Sequence, residues 1–280
     1  YYQKHFPRRD KGNGEMIKFK NKDQYFDADF NSRGSMQKWL KKTPLEEAQK
    51  YCLELLENRI EKKGLVYAPT QVELRTIMSP PIQYYEVIFG DYYRKCKELG
   101  LENRFSVLAA GDSFNPQINE TRISVDSREQ QPLALEHPIE VKGLPFGDYT
   151  LENPELCCKC YIERKSIRDF VGTLSGGFDR FKNEIKKAHQ YESYIVVLVE
   201  RKLNECMVFN RLPYVSKKVK VTPEYIFRNV RDLLQEFSDL QFLFVDGRKE
   251  ASRVCKKILF DTNCAARDTD LQLAYDLKIL

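Results

Sequence analysis

Tyr194 to Glu200 is a continuous apolar run, Tyr-Ile-Val-Val-Leu-Val, closed by an acid. It is the length of one strand, and a strand without polar side chains must be covered on both faces. The run therefore demands a sheet between two layers, and its surroundings supply them. Phe178, Phe181, Ile185 and Ala188 mark one face of a helix before it. After it, Thr222-Pro223-Glu224 opens a helix reaching about Phe237, Leu240 to Val245 is a second buried run, and Asp246 to Phe260 a further helix. Strand, helix, strand, helix implies a right-handed crossover in a partly parallel sheet.

One predicted strand is charged. In Lys159-Cys160-Tyr161-Ile162-Glu163-Arg164-Lys165, residues two apart share a face, so Glu163 and Lys165 project into one cleft and Arg164 points away. Asp148, in Gly147-Asp148-Tyr149, lies on the segment Leu144 to Leu151, which a hairpin-like return brings alongside. Ile123 to Glu129 reads as a short buried strand ending in Asp126 and Glu129. Four acids from three segments then meet an ammonium at one sheet end. Carboxylates hold hard divalent ions, and phosphodiester hydrolysis needs such an ion to polarise the phosphoryl oxygen and generate hydroxide. Each acid also has a plainer reading. Asp148 fits a Gly-Asp turn, and Asp169 sits in the first turn of the next predicted helix, Ser166 to Leu174, where negative charge is favoured in any case.

Val125-Asp126-Ser127-Arg128-Glu129, Gly147-Asp148-Tyr149 and Glu163-Arg164-Lys165-Ser166-Ile167-Arg168-Asp169 together resemble the ERCC4-type nuclease domain, the catalytic module of the XPF/MUS81 family of structure-selective DNA endonucleases. The signature is GD, a gap, ERK and an Asp four residues after the Lys. The likeness continues through Phe178-Asp179-Arg180-Phe181 and the strand ending at Glu200, covering roughly residues 121 to 260. It implies an α/β, restriction-endonuclease-like (PD-(D/E)XK) core. It also implies a Mg2+ or Mn2+ ion held by Asp148, Glu163 and the backbone carbonyl of Arg164, with Asp126 and Glu129 as further acids near it. Lys165 would orient the attacking water or stabilise developing charge. Arg128, Arg168, Arg180 and Lys182 would meet DNA, and Arg164 and Asp169 would complete the catalytic set. Family members leave a 5′-phosphate, and dimerise in some cases through the nuclease domain. They normally continue into tandem helix-hairpin-helix modules, for which the stretch after the last predicted nuclease helix is too short; preference for flaps, junctions or nicks is open on that account. The competing reading is a catalytically silent DNA-binding or assembly partner that retains the fold.

Upstream, Thr43-Pro44 is expected to open a helix with Thr43 as cap, and Gly64 to end it. Thr70, the Pro80-Pro81 break, Phe89-Gly90 and Leu99-Gly100-Leu101 punctuate three more short helices. The order of these markers is similar to a single homing-endonuclease-associated repeat, a small helical module thought to bind DNA. The expected organisation is a basic N-terminal segment 1–42, a small all-α domain 43–101, a linker 102–120, the nuclease domain 121–262 and a tail 263–280, the tail being a fraying helix or an interface segment.

Of the net charge of +5 over 280 residues, residues 1–42 carry the whole excess, with 11 Lys or Arg against 5 acids. Such an arm suits DNA phosphates, or is simply a solvated leader. The eight cysteines show no second pair with zinc spacing and read as buried free thiols in a reducing compartment. No stretch approaches a membrane span, no signal peptide opens the chain, and no Gly-Lys-Ser/Thr follows the glycines as a nucleotide site would require. The expectation is an intracellular protein, cytoplasmic in a prokaryote or virus-infected cell or else nuclear, acting in DNA repair, recombination or mobile-element processing. Its beginning at Tyr1 adds the expectation that the natural start lies upstream.

Overall fold

The computed structural model describes residues 43–77, 79–105, 120–212, 220–260 and 265–280. The basic segment 1–42, with Trp39, and most of the expected linker lie outside the described residues.

A six-stranded mixed sheet organises the fold. Its strands are β1 (Ile123–Asp126), β2 (Ile139–Lys142), β3 (Tyr149–Leu151), β4 (Cys160–Lys165), β5 (Tyr194–Val199) and β6 (Leu240–Phe244), in spatial order β2-β1-β3-β4-β5-β6. β4, β5 and β6 are parallel, and β3 is antiparallel to both β1 and β4. The return that brings Asp148 beside β4 is thus real, with Tyr149 opposite Ile162. β2, parallel to β1, was not foreseen, and its Ile139 and Val141 remain exposed at the sheet edge.

Every residue of β5 and β6 is buried. Alternation sends Tyr161, Ile195, Val197, Val199, Phe242 and Phe244 to one face, against α5 (Ile167–Thr173), α6 (Phe178–Gln190), α7 (Leu203–Cys206) and α8 (Pro223–Glu236). Cys160, Ile162, Tyr194, Val196, Leu198 and Leu243 go to the other, against α9 (Gly247–Phe260) and α11 (Leu271–Asp276), the short α10 (Ala265–Asp268) lying between these two in the chain. The predicted cap of α8 holds, Thr222 accepting from the Tyr225 amide, and Ser166 caps α5 by accepting from that of Asp169.

The helical segment comprises α1 (Leu45–Lys63), α2 (Gln71–Thr76), α3 (Ile82–Phe89) and α4 (Tyr92–Glu98). Gly64 closes α1 in the left-handed conformation, as expected. Thr43 does not cap it. Pro44 takes the cap position with no side-chain bond, and the buried Thr43 hydroxyl lacks a partner. Thr70 forms a full capping box with Glu73. The segment has its own apolar cluster, including Tyr84, Tyr85 and Tyr92, into which Leu273 of α11 inserts.

A polar seam joins the helical segment to the sheet layers. Glu73 accepts from Arg104 (3.0 Å) and from Gln235 of α8 (2.7 Å). Asp270 accepts from the Gln71 amide (2.6 Å), and Asp276 from the side chains of Gln71 and Arg75 (both 2.9 Å). Of the two readings for the C-terminal tail, α11 takes the interface one: Leu271, Gln272, Leu273, Ala274 and Asp276 are all buried. Six cysteines are free and buried, as expected, but Cys158 is disulfide-bonded, which corrects the free-thiol reading there.

Candidate active site

The C-terminal end of the parallel strands collects the charged residues, where open α/β sheets carry their ligands. Gly147 makes the geometry possible. Its φ is +68°, and a Cβ there would lie 3.1 Å from Cβ of Tyr161 and 3.3 Å from the Ile162 carbonyl oxygen. Only glycine combines that conformation with so close an approach. The chain can therefore press against β4, where the Asp148 amide donates to the Ile162 carbonyl (2.8 Å) and the Asp148 carbonyl accepts from the Asp126 amide (2.9 Å).

Asp148 is thereby clamped between β1 and β4, and its Oδ2 accepts the backbone N–H of Arg164 at 2.7 Å. Burial, reinforced by the negative charge of Glu163, pushes its carboxyl up to about 7, against the lowering effect of that hydrogen bond. Glu163 and Lys165 share a face as the spacing predicts, and the lysine Nζ donates to Glu163 Oε1 at 2.5 Å. The ammonium also lies 5.8 Å from the ring centroid of Phe181 in α6. Arg164 faces the opposite way. Its guanidinium forks onto Glu129 (2.9 and 3.1 Å) and reaches Glu200 at 3.3 Å.

The remaining candidates divide by partner. Both oxygens of Asp126 are engaged by Arg128, through Nε (2.7 Å) and Nη2 (2.9 Å), and Oδ2 also accepts the Leu144 amide. Although burial opposes it, these bonds hold the Asp126 carboxyl below its ordinary value. Glu129 is occupied by Arg164. The structure thus brings Asp148, Glu163 and Lys165 together, and sets Asp126 and Glu129 beside them in arginine pairs. Asp169 is exposed and accepts the Ser166 hydroxyl at 2.6 Å, an arrangement that belongs to the start of α5. Arg128, Arg168 and Arg180 have exposed side chains, and Lys182 pairs with Glu236 at 2.5 Å. Sequence reasoning gave no role to Glu200 or Arg248, which join the cluster from the end of β5 and the start of α9. A cavity of about 750 Å³ lies elsewhere, at the opposite ends of the strands, lined by Lys159, His189, Tyr194 and Asp239 with Tyr67 and Arg104.

The residues present fit a divalent cation. Two carboxylates at one edge keep one oxygen each, Asp148 Oδ1 and Glu163 Oε2, with no hydrogen bond among the described residues. Burial is the first cause of the upward shift at Asp148 and the charge of Glu163 the second, and a cation bound between them would offset both. No group of three or more His, Cys, Asp or Glu forms a ready cage among the described residues. Asp148 and Glu163 could together hold one hard divalent cation through these two oxygens.

Comparison with known proteins agrees with the motif. Two solved structures of XPF from Aeropyrum pernix are similar at 19% identity. The one in complex with DNA has a TM-score of 0.38 over 50% of this chain and 63% of that one, and the other a TM-score of 0.37 over 49% and 64%. The matched part thus spans less than two thirds of either XPF chain. No curated protein matches. The ERCC4 domain family matches residues 84–258, which takes in most of α3, all of α4 and the whole sheet with the clamped Asp148, Glu163 and Lys165. The chain belongs to the ERCC4 domain family.

Proposed function

We propose that this protein is a metal-dependent DNA endonuclease, selective for flap, junction or nicked DNA. The observation that carries it is the half-buried Asp148 beside Glu163, with the Lys165 ammonium held on the same face of β4. Asp148, Glu163 and the Arg164 carbonyl would hold Mg2+ or Mn2+, which when bound supplies the polarisation of the phosphoryl oxygen and a hydroxide at neutral pH.

The protein's own groups do the rest. The Arg164 amide fixes one oxygen of Asp148, leaving the other directed by the clamp. Lys165, braced against Phe181, offers a positive charge that orients the nucleophile or meets charge developing on the phosphate. Arg128, Arg168 and Arg180 present exposed guanidinium groups suited to phosphate oxygens. The helical segment 43–101, with its repeat-like markers, would serve as a second DNA contact carried rigidly by the seam, and residues 1–42 as a salt-sensitive arm. The expected products carry 5′-phosphates. A homodimer through the nuclease layers and an intracellular site of action belong to the same proposal.

The test is cleavage of branched, nicked and linear duplexes, with RNA as a control, in Mg2+ and in chelator. Chelator should stop cleavage, and Glu163→Gln and Lys165→Ala should nearly abolish it. Variants that cut as well as the parent would overturn the site. A parent that binds branched DNA but never cuts it would favour the silent-partner reading, against which the complete Asp148, Glu163, Lys165 set now stands.

A further inference from the structure

Behind the face that carries Glu163 and Lys165, four alternating charges run in a line. Glu129 pairs with Arg164, Arg164 with Glu200 (3.3 Å), and Glu200 with Arg248 (2.9 Å). Arg248 then turns back and donates to the carbonyls of Gln131 and of Pro132 (2.9 Å), on the same loop that bears Glu129. The line therefore closes into a ring through the loop after β1, the edge of β4, the end of β5 and the first turn of α9. Three of the four members are largely removed from solvent, with side-chain exposures of 6% for Glu129 and 12% for both Arg164 and Glu200. Such a cluster is stable only when every charge is matched, and here two acids meet two bases.

From this geometry we infer that Glu200 and Arg248 are positioning residues for the active site. This inference rests on the nuclease reading above. Arg164 sits between Glu163 and Lys165, and its own amide carries the bond to Asp148. Gripping its guanidinium from behind sets the height and twist of the last turn of β4, and so the aim of both neighbours. The side chains of Glu200 and Arg248 meet Arg164, each other and the loop carbonyls, while the Glu200 amide ties the end of β5 to the Lys165 carbonyl (3.0 Å). A strand end displaced by a fraction of an ångström loses the near-attack geometry on which rate depends.

Two measurements on the full chain decide it. Amide hydrogen exchange, read without DNA, should show the Arg164 amide exchanging about tenfold faster in Arg248→Ala and in Glu200→Gln, through local opening. Cleavage of the best DNA substrate should lose about ten- to a hundredfold in kcat with KM nearly unchanged. Arg248→Lys keeps the charge to Glu200 but not the fork to the loop, and should recover part of the loss. Unchanged exchange, or faster exchange with parental kcat, overturns the inference. So does a loss confined to DNA affinity with a shallower salt dependence, which would make Arg248 a phosphate contact. If the parent cuts no DNA, the nuclease reading falls, while the exchange result still decides whether the ring holds Arg164.

Discussion

Among the described residues, the acids of the seam and those of the strand ends are finished differently. At the seam, Glu73, Asp270 and Asp276 each accept hydrogen bonds on both carboxylate oxygens: Glu73 from Thr70, Arg104 and Gln235, Asp270 from Gln71 and Leu273, and Asp276 from Gln71, Arg75 and Gln272. At the strand ends, Asp148 and Glu163 each accept on one oxygen among the described residues, and Asp148 is pushed up to about 7. Saturated acids specify how layers join, because any slip strands a charge. Acids left short of donors cost stability, and proteins keep such sites where chemistry needs them.

The sharpest way to break this comparison is a pair of variants with opposite effects. Lys165→Ala should lower kcat/KM for DNA cleavage by about a thousandfold and scarcely move the urea midpoint. Glu73→Ala should do the reverse. It leaves the Arg104 guanidinium, still bonded to the Leu234 carbonyl, without its ion-pair partner, at about 3–5 kcal/mol in urea unfolding, while cleavage per folded molecule persists. A Glu73→Ala protein as stable as the parent would remove the distinction.

Next in size is a pH effect at the seam. Burial, only partly offset by the Gln71 and Leu273 amides, raises the Asp270 carboxyl from 3.8 to about 6. A raised carboxyl binds its proton more tightly folded than unfolded, so this group's contribution is whole below about pH 4 and declines as pH climbs towards 6. The decline is on the order of 2–3 kcal/mol, and thermal melts of Asp270→Asn should lack that slope. The smallest effect sharpens the contrast from the other side. In chelator at pH 8, Asp148→Asn should raise stability by about 1–2 kcal/mol, because it removes a desolvated charge and keeps an oxygen for the Arg164 amide. Destabilisation there would mean the strand ends are as well compensated as the seam.

How far these features were legible follows from their range along the chain. β4, β5, β6 and their helices could be read because apolar period and caps are local signals, and the Glu163–Lys165 face followed from strand alternation alone. β2 could not, since its apolar residues, Ile139 and Val141, lie exposed at an edge rather than announcing a core. Thr43 misled because a good cap residue before proline was outcompeted by Pro44 at the cap position. The grip of Arg248 on Glu200 and on the Gln131 carbonyl joins residues 48 and 117 apart in sequence, and no local pattern encodes such a meeting. The acids of the β1 loop were visible as charges near the site, but only coordinates could reveal that arginines already occupy them.

The insertion of Leu273 among the N-terminal helices carries a consequence for biosynthesis. A ribosome releases α1 to α4 long before the segment that completes their packing, and the bond from Gln71 to Asp276 must span 205 residues. These helices therefore wait, partly uncovered, until the 205 residues from Gln71 to Asp276 have been added. Such long-range closure makes folding slow and gives chaperones a window in which to act.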